Sequence, residues 1–300
     1  MTDPAIAVDG LTKYYGAVVG VEDLSFAVGR GEVYGFLGSN GAGKTTTIRL
    51  LVDLLRPSRG RASVLGLDCH AESLRARRQI GYLPGELPVY PDLSAAGYLD
   101  YLAKLGSRPV PGGYLTELLR RFDVSDVDLR RRLRDQSHGM KQKIGIIQAL
   151  MSKPPVLILD EPTSGLDPMM VQAFRDTLGE LRADGETTVL LSSHILSEVE
   201  ATCDRIGLIR SGRMVATGTI DELKRNASRK VTVDFSSAVN GSMRWPAGVT
   251  VTNQAPGRFV LDVTGPLGPV VQALTSLPVH DMQVEEFKLE DFVARYYQEN

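Results

Sequence analysis

Gly38-Ser39-Asn40-Gly41-Ala42-Gly43-Lys44-Thr45-Thr46 constrains this chain more than any other stretch, because it carries the phosphate-loop pattern G-x-x-x-x-G-K-[ST]. The residues before it, Gly31 to Leu37, read as a short apolar strand. Those after it, Thr46 to Leu55, read as an amphipathic helix ending before Pro57. Between a strand and a helix, three glycines let successive backbone N–H groups turn inward on an anion, and the helix N-terminus adds the positive end of its dipole. Lys44 supplies a point charge for the β and γ phosphates, and the Thr45 hydroxyl can ligate Mg²⁺. A glycine turn that binds nothing has no need of Lys-Thr-Thr at this offset. The loop alone leaves open which nucleotide is bound and what its hydrolysis drives.

A chain of 300 residues with 43% hydrophobic content can bury one large core, or one of standard size and a smaller one. The formal charge of -2 gives no general electrostatic case for nucleic acid. Arg120, Arg121, Arg130, Arg131, Arg132 and Arg134 form a local basic cluster, read here as a solvated helical face. Cys69 and Cys203 are too few and too far apart for a disulfide framework or a zinc site, which fits a reducing compartment. Met1 to Ala5 lacks the features of a leader, and no window offers the roughly 18 continuous apolar residues of a membrane span. If the protein works at a membrane, a partner is expected to provide the spans.

The chain from Ala5 to about Ala71 reads as strand-rich apart from the helix after the loop. From about 73 to 151 it reads as an α-helical insertion, with helical spacing over Leu93 to Leu105 and Tyr114 to Phe122. Val156 to Asp160 is a continuous apolar run of the kind that fills a parallel strand buried on both faces. Another strand at Thr188 to Ser192 and one near Ile206 to Ile209 alternate with helices, which argues for an α/β core. Residues 1–225 are therefore taken as one domain. Residues 226–300, with alternation at Val231, Val233 and Phe235 and a last helix expected over Glu285 to Gln298, are taken as a small α+β accessory domain.

Asp160-Glu161-Pro162 ends the buried strand. Ligands of open parallel sheets bind beyond the carboxyl ends of strands, so Asp160 is expected near the phosphate loop as a second Mg²⁺ ligand. Glu161, one residue further out, is placed to orient and deprotonate an attacking water, a contribution of about 10²–10⁴-fold for such a base. His194, just past the next strand, is assigned to the γ-phosphate as a hydrogen-bond donor. In Asp135 to Lys143, Ser137 reads as the N-cap of a helix whose free N–H groups can accept an anion. A helix start so far from the loop in sequence is hard to use within one subunit but makes sense across a dimer.

These motifs resemble the ATP-binding cassette family over roughly residues 5 to 225, in the family order. Ser137-His138-Gly139-Met140 falls where the family has its Leu-Ser-Gly-Gly-Gln signature, and Val156 to Glu161 looks like its Walker B strand. Ser164 to Asp167 resembles its D-loop, His194 its switch histidine, and Tyr15 the aromatic that stacks on adenine. The resemblance implies a phosphate-loop cassette with a mixed-sheet core, an antiparallel β subdomain and a helical subdomain, binding two ATP between head-to-tail copies. Each site would join one copy's loop to the other's Ser137 and Gly139, with Asp167 nearby. His138 replaces the first signature glycine, as in a branch of exporter cassettes with Ser-x-Gly-Met-Lys-Gln, so binding is expected to survive. The family's Q-loop glutamine, which touches Mg²⁺, falls on Gly85, leaving Glu86 or a water to take its place. Leu289 to Phe292 looks like the C-terminal ending of bacterial exporter cassettes.

The expectation is the cytoplasmic ATPase subunit of a bacterial export complex, on the inner face of the membrane, pairing with itself and with a separate permease. Hydrophobic drug or antibiotic efflux is the cargo class that the resemblance suggests. A soluble cassette ATPase of translation or DNA repair is the rival, set against by a single cassette in 300 residues and a short helical insertion. A phosphate-loop kinase is a third reading, and it gives Glu161 and Ser137 nothing to do.

Overall fold

The computed structural model describes residues 3–87, 90–226, 228–237, 239, 245–255 and 257–285. The chain divides into two compact units, Met1–Thr217 and Gly218–Asn300.

The first unit opens with a hairpin of β1 (Ile6–Tyr15) and β2 (Val18–Val28), turned at Gly16, whose φ of 61° suits the left-handed corner. β3 (Val33–Leu37) leads through the phosphate loop to α1 (Lys44–Leu51). Then β4 (Arg59–Val64) and β5 (Leu67–Asp68) return to the hairpin, making an antiparallel sheet of order β2-β1-β4-β5. After α2 (Ser73–Arg77) and β6 (Ile80–Leu83) come α3 (Ala95–Leu105), α4 (Tyr114–Arg121), α5 (Asp126–Arg130) and α6 (His138–Leu150). β7 (Val156–Asp160), α7 (Pro168–Asp184), β8 (Thr188–Ser193), α8 (Leu196–Thr202), β9 (Arg205–Arg210) and β10 (Arg213–Thr219) complete a six-stranded sheet of order β10-β9-β3-β8-β7-β6.

Its central strands β3, β7 and β8 are buried at every position and pair in parallel. Helix α8 lies on one face of β3, and α1 with the antiparallel sheet lies on the other, so these strands are buried on both sides and read as unbroken apolar runs instead of alternating. Gly35 shows how close the cover lies: a Cβ there would stand 2.4 Å from Val199 Cγ1 and 2.9 Å from Cys203 Sγ. The two sheets meet through stacked rings, Phe26 at 5.7 Å from Tyr34 and 5.4 Å from Phe36, with Ile48 and Leu51 of α1 in the same cluster. Because β3, β7 and β8 run the same way, the loop, Asp160 and His194 all emerge at one edge of the sheet.

Several sequence expectations shift. The stretch 73–151 is not wholly helical, since Ile80–Leu83 is a strand pairing in parallel with Val156–Leu159. Four residues ending at Pro84 are too short to show a period. The helix after the loop runs from Lys44 to Leu51 instead of from Thr46 to Leu55. It starts early because Gly43, at φ 111°, turns the chain directly into it. It stops at Val52, where the Leu54 and Leu55 amides fold back onto the Arg49 carbonyl at 2.8 and 3.1 Å. Nor do the clustered arginines share one helical face. Arg120 and Arg121 lie on α4 and Arg130 on α5, while Arg121 pairs with Glu117 and Glu180, and Arg134 with Asp92.

In the second unit, α9 (Ile220–Asn226) precedes β11 (Ser228–Phe235), β12 (Val249–Ala255), β13 (Arg258–Thr264), α10 (Gly268–Leu274) and β14 (Val279–Val284), with sheet order β12-β13-β11-β14. Val231, Val233 and Phe235 face one side with Phe259, Leu261 and Val263, against Val270 and Leu274 of α10. The helix expected over 285–298 falls, from residue 286 on, outside the described residues, as does the ending at Leu289 to Phe292.

Candidate functional site

The loop Gly38 to Gly43 spans from the end of β3 to α1, and its glycines answer to different constraints: Gly38 to space, Gly41 to its φ of 80°, and Gly43 to both. A Cβ at Gly43 would stand 2.8 Å from the Gly20 carbonyl and 2.9 Å from Val21 Cγ1. At Gly38 it would stand 2.7 Å from the Ile209 carbonyl. Ser39, Asn40 and Gly41 are exposed, and Ala42 is buried beneath them. Lys44 is 5% exposed and points back under the loop, donating to the carbonyls of Gly38 at 2.6 Å and Ser39 at 3.3 Å. Thr45 and Thr46 occupy the first helical turn, both half-buried.

Glu161 joins the two strand ends. Its Oε1 lies 3.2 Å from Lys44 Nζ and its Oε2 2.7 Å from His194 Nδ1, with the His194 side chain half exposed. The residue sits at φ 50°, in the left-handed region that costs a side-chain-bearing residue about 1–2 kcal/mol. Three contacts hold it there. Its amide donates to Ser192 at 3.2 Å, and Gln142 Nε2 donates to the carbonyls of Glu161 at 3.1 Å and Pro162 at 2.9 Å. A strained backbone so firmly held at a strand end aims the carboxylate at the loop.

Asp160 is 1% exposed. Ser192 Oγ donates to its Oδ1 at 2.5 Å, while its Oδ2 is buried with no hydrogen-bond partner. Such an orphaned carboxylate oxygen costs free energy unless a cation or water meets it. Burial and the Asp160 charge push the nearby Tyr82 hydroxyl up to about 12. No three His, Cys, Asp or Glu residues cluster as a metal site among the described residues. Asp160 and the Thr45 hydroxyl are oxygen donors of the kind a hard cation could take, with its other oxygens coming from phosphate and water.

Ser137 caps α6, accepting from the Met140 amide at 3.2 Å. The next turn packs on the loop after β7: the His138 ring covers Gly165, and a Cβ on Gly139 would stand 2.6 Å from the Gly165 carbonyl. Asp167 caps α7 by accepting from the Met170 amide at 3.0 Å. Among the described contacts, none joins Ser137, His138, Gly139, Met140 or Asp167 to the phosphate loop. Tyr15 is exposed at the tip of the β1–β2 hairpin. Its ring and Thr46 Cγ2 both flank Gly20, at 2.7 and 3.2 Å from where a Cβ would stand. The structure thus assembles the loop, Asp160, Glu161 and His194, sets Tyr15 beside them, and leaves the α6 start as a separate exposed element. Sequence reasoning missed Ser192 and Gln142. Both lie inside stretches already singled out, but their hydrogen bonds are long-range and leave no local pattern.

Residues 21–164 match the ABC transporter family. The chain is 41% identical over 227 residues to the daunorubicin resistance ATP-binding protein DrrA3 of Streptomyces coeruleorubidus, covering 75% of this chain and 71% of that one. It is 37% identical over 215 residues to the bacitracin transport ATP-binding protein BcrA of Bacillus licheniformis, covering 72% and 70%. Among solved structures it resembles an ATP-binding subunit of an ABC transporter with a TM-score of 0.68 and 34% identity, covering 74% of this chain and 92% of that one. A dimeric ATP-binding cassette bound to ADP and phosphate aligns with a TM-score of 0.64 at 20% identity, over 72% of this chain and 98% of that one, which speaks to the fold alone.

Proposed function

We propose, from the premise that this chain belongs to the ABC transporter family of ATP-binding ATPases, that it powers a separate membrane-spanning permease in drug or antibiotic efflux. The observation that carries the catalytic part is Glu161, held between Lys44 at 3.2 Å and His194 at 2.7 Å at the mouth of the phosphate loop. Lys44 exchanges the Glu161 carboxylate for a phosphate oxygen of the incoming nucleotide. The freed carboxylate, still bonded to His194, then orients and deprotonates a water in line with the γ-phosphate. Asp160 and Thr45 are the residues that would hold Mg²⁺, and that cation would supply neutralisation of charge on the phosphate oxygens. Tyr15 stacks on the base.

The exposed N-terminus of α6, capped by Ser137, presents backbone donors, and no described contact joins it to the phosphate loop of its own subunit. A second copy, docked head to tail, brings Ser137 and Gly139 to the γ-phosphate of the first. The efflux assignment draws on the names of DrrA3 and BcrA, which refer to daunorubicin resistance and bacitracin transport. Among the described residues no helix is long and apolar enough to cross a membrane; in this reading a partner supplies the path. In this reading the chain lies on the inner face of the cell membrane, bound to that partner.

Co-expression with the membrane-protein gene beside its own tests the transport reading. The expected result is co-sedimentation with membranes and lowered drug accumulation that depends on Glu161. A chain that stays in the soluble fraction and leaves accumulation unchanged would overturn it.

A further inference from the structure

Glu198, in the first turn of α8, lies outside every motif of the nucleotide site, yet it is bonded to both loops that carry the catalytic pair. Its Oε2 accepts from Thr163 Oγ1 at 2.7 Å and from Ser193 Oγ at 3.3 Å. Thr163 follows Glu161 and Pro162, and Ser193 immediately precedes His194. Ser193 Oγ also accepts from the Ile195 amide at 2.9 Å, so its bonds bracket the His194 backbone on both sides. The one hydrogen of that hydroxyl has two acceptors in reach, Glu198 at 3.3 Å and the Ile195 carbonyl at 3.4 Å, and the charged one is the stronger.

His194 needs such a brace. Its side chain is 50% exposed, so side-chain contacts fix it only in part and its backbone must do the rest. An acid in the first turn of a helix also complements the helix dipole, but that role asks for no hydroxyl on two separate loops. Among the described contacts, none joins Glu198 to Lys44, to the phosphate loop or to either catalytic side chain.

We propose that Glu198 is a positioning residue for ATP hydrolysis: by tying the turn after Glu161 to the loop that carries His194, it holds the imidazole in register with the catalytic carboxylate. The inference rests on the roles given to Glu161 and His194 above. Their own bond, at 2.7 Å, spans loops from two different strand ends, and Glu198 joins those loops by a separate path.

The test compares Mg²⁺-dependent ATP hydrolysis and ATP affinity in the full chain and in Glu198→Ala, Glu198→Gln, Thr163→Val and the double variant of Glu198→Ala and Thr163→Val. Loss of register should lower kcat in Glu198→Ala by about tenfold or more with ATP affinity unchanged, since misplacement by about 1 Å can cost about 10²-fold. Glu198→Gln keeps an oxygen acceptor and should recover most of that loss. Thr163→Val should lower kcat as well, and the double variant should be no slower than Glu198→Ala alone, because the same brace is broken in each. Unchanged kcat in Glu198→Ala overturns the proposal, and so does an ATP affinity that falls in step with kcat, full additivity in the double variant, or a Glu198→Gln chain as slow as Glu198→Ala. Should Glu198→Ala fail to fold, Thr163→Val decides on the same kcat and affinity readings. Hydrolysis undiminished in His194→Ala instead overturns the reading of the site itself, so the two failures are distinct.

Discussion

At Glu161 the chain keeps a left-handed φ of 50° in a residue with a full side chain, and it does so with bonds from Gln142 and to Ser192. Replacing Glu161 by Gln keeps its shape and removes the base, so steady-state ATP hydrolysis should fall by about 10²-fold or more. Nucleotide binding should persist, because Lys44 and the loop backbone are untouched. Unchanged hydrolysis in Glu161→Gln would remove the carboxylate from the mechanism and favour the kinase reading. Gln142→Ala should act through position instead: two buried carbonyls lose a donor, at a cost of about 1–3 kcal/mol in urea unfolding if both stay dry. Hydrolysis should drop with little change in ATP affinity. The placement of Lys44, Asp160 and Glu161 was legible because each sits at a fixed offset from a strand end. Gln142 and Ser192 were not, because their partners lie 19 to 32 residues away.

Elements were legible in proportion to their length and their punctuation. β7 and β8 announced themselves as apolar runs, and α6 by Ser137 ahead of a periodic stretch stopped at Pro154. β6 was hidden, since Ile80–Leu83 gains its strand conformation only from pairing with β7. The sheet order, with β3 inserted between β8 and β9, is a tertiary fact that no window of sequence contains. Packing of α8 on β3 is tight enough to test: Gly35→Ala puts a methyl 2.4 Å from Val199 Cγ1. Overpacking of this kind costs about 1–3 kcal/mol. Urea unfolding should show that loss with an unchanged slope, whereas a neutral substitution would mean that α8 yields freely.

At the level of the whole molecule, each of the two units carries its own core, the larger around β3, β7 and β8 and the smaller around Phe259 and Leu261. Only the first contains the phosphate loop. Calorimetry with Mg²⁺ and a non-hydrolysable ATP analogue should therefore raise the transition belonging to residues 1–217, by about 2.7 kcal/mol of stabilisation at a hundredfold excess over Kd. The transition of the smaller unit should stay where it is. A shift of both together would mean that they unfold as one.

The central claim is that Gly38 to Thr46 forms half of a site that a second copy completes through Ser137 and Gly139. Mixing two inactive variants tests it most directly. Lys44→Ala disables the loop and leaves the α6 start intact, whereas Ser137→Arg blocks the α6 start and leaves the loop intact. In a head-to-tail pair of the two, the sound loop faces the sound α6 start, so the mixture should recover ATP hydrolysis that neither variant shows alone. A mixture as inactive as its components, with mixed pairs shown to form, would contradict the account and place the whole site within one chain.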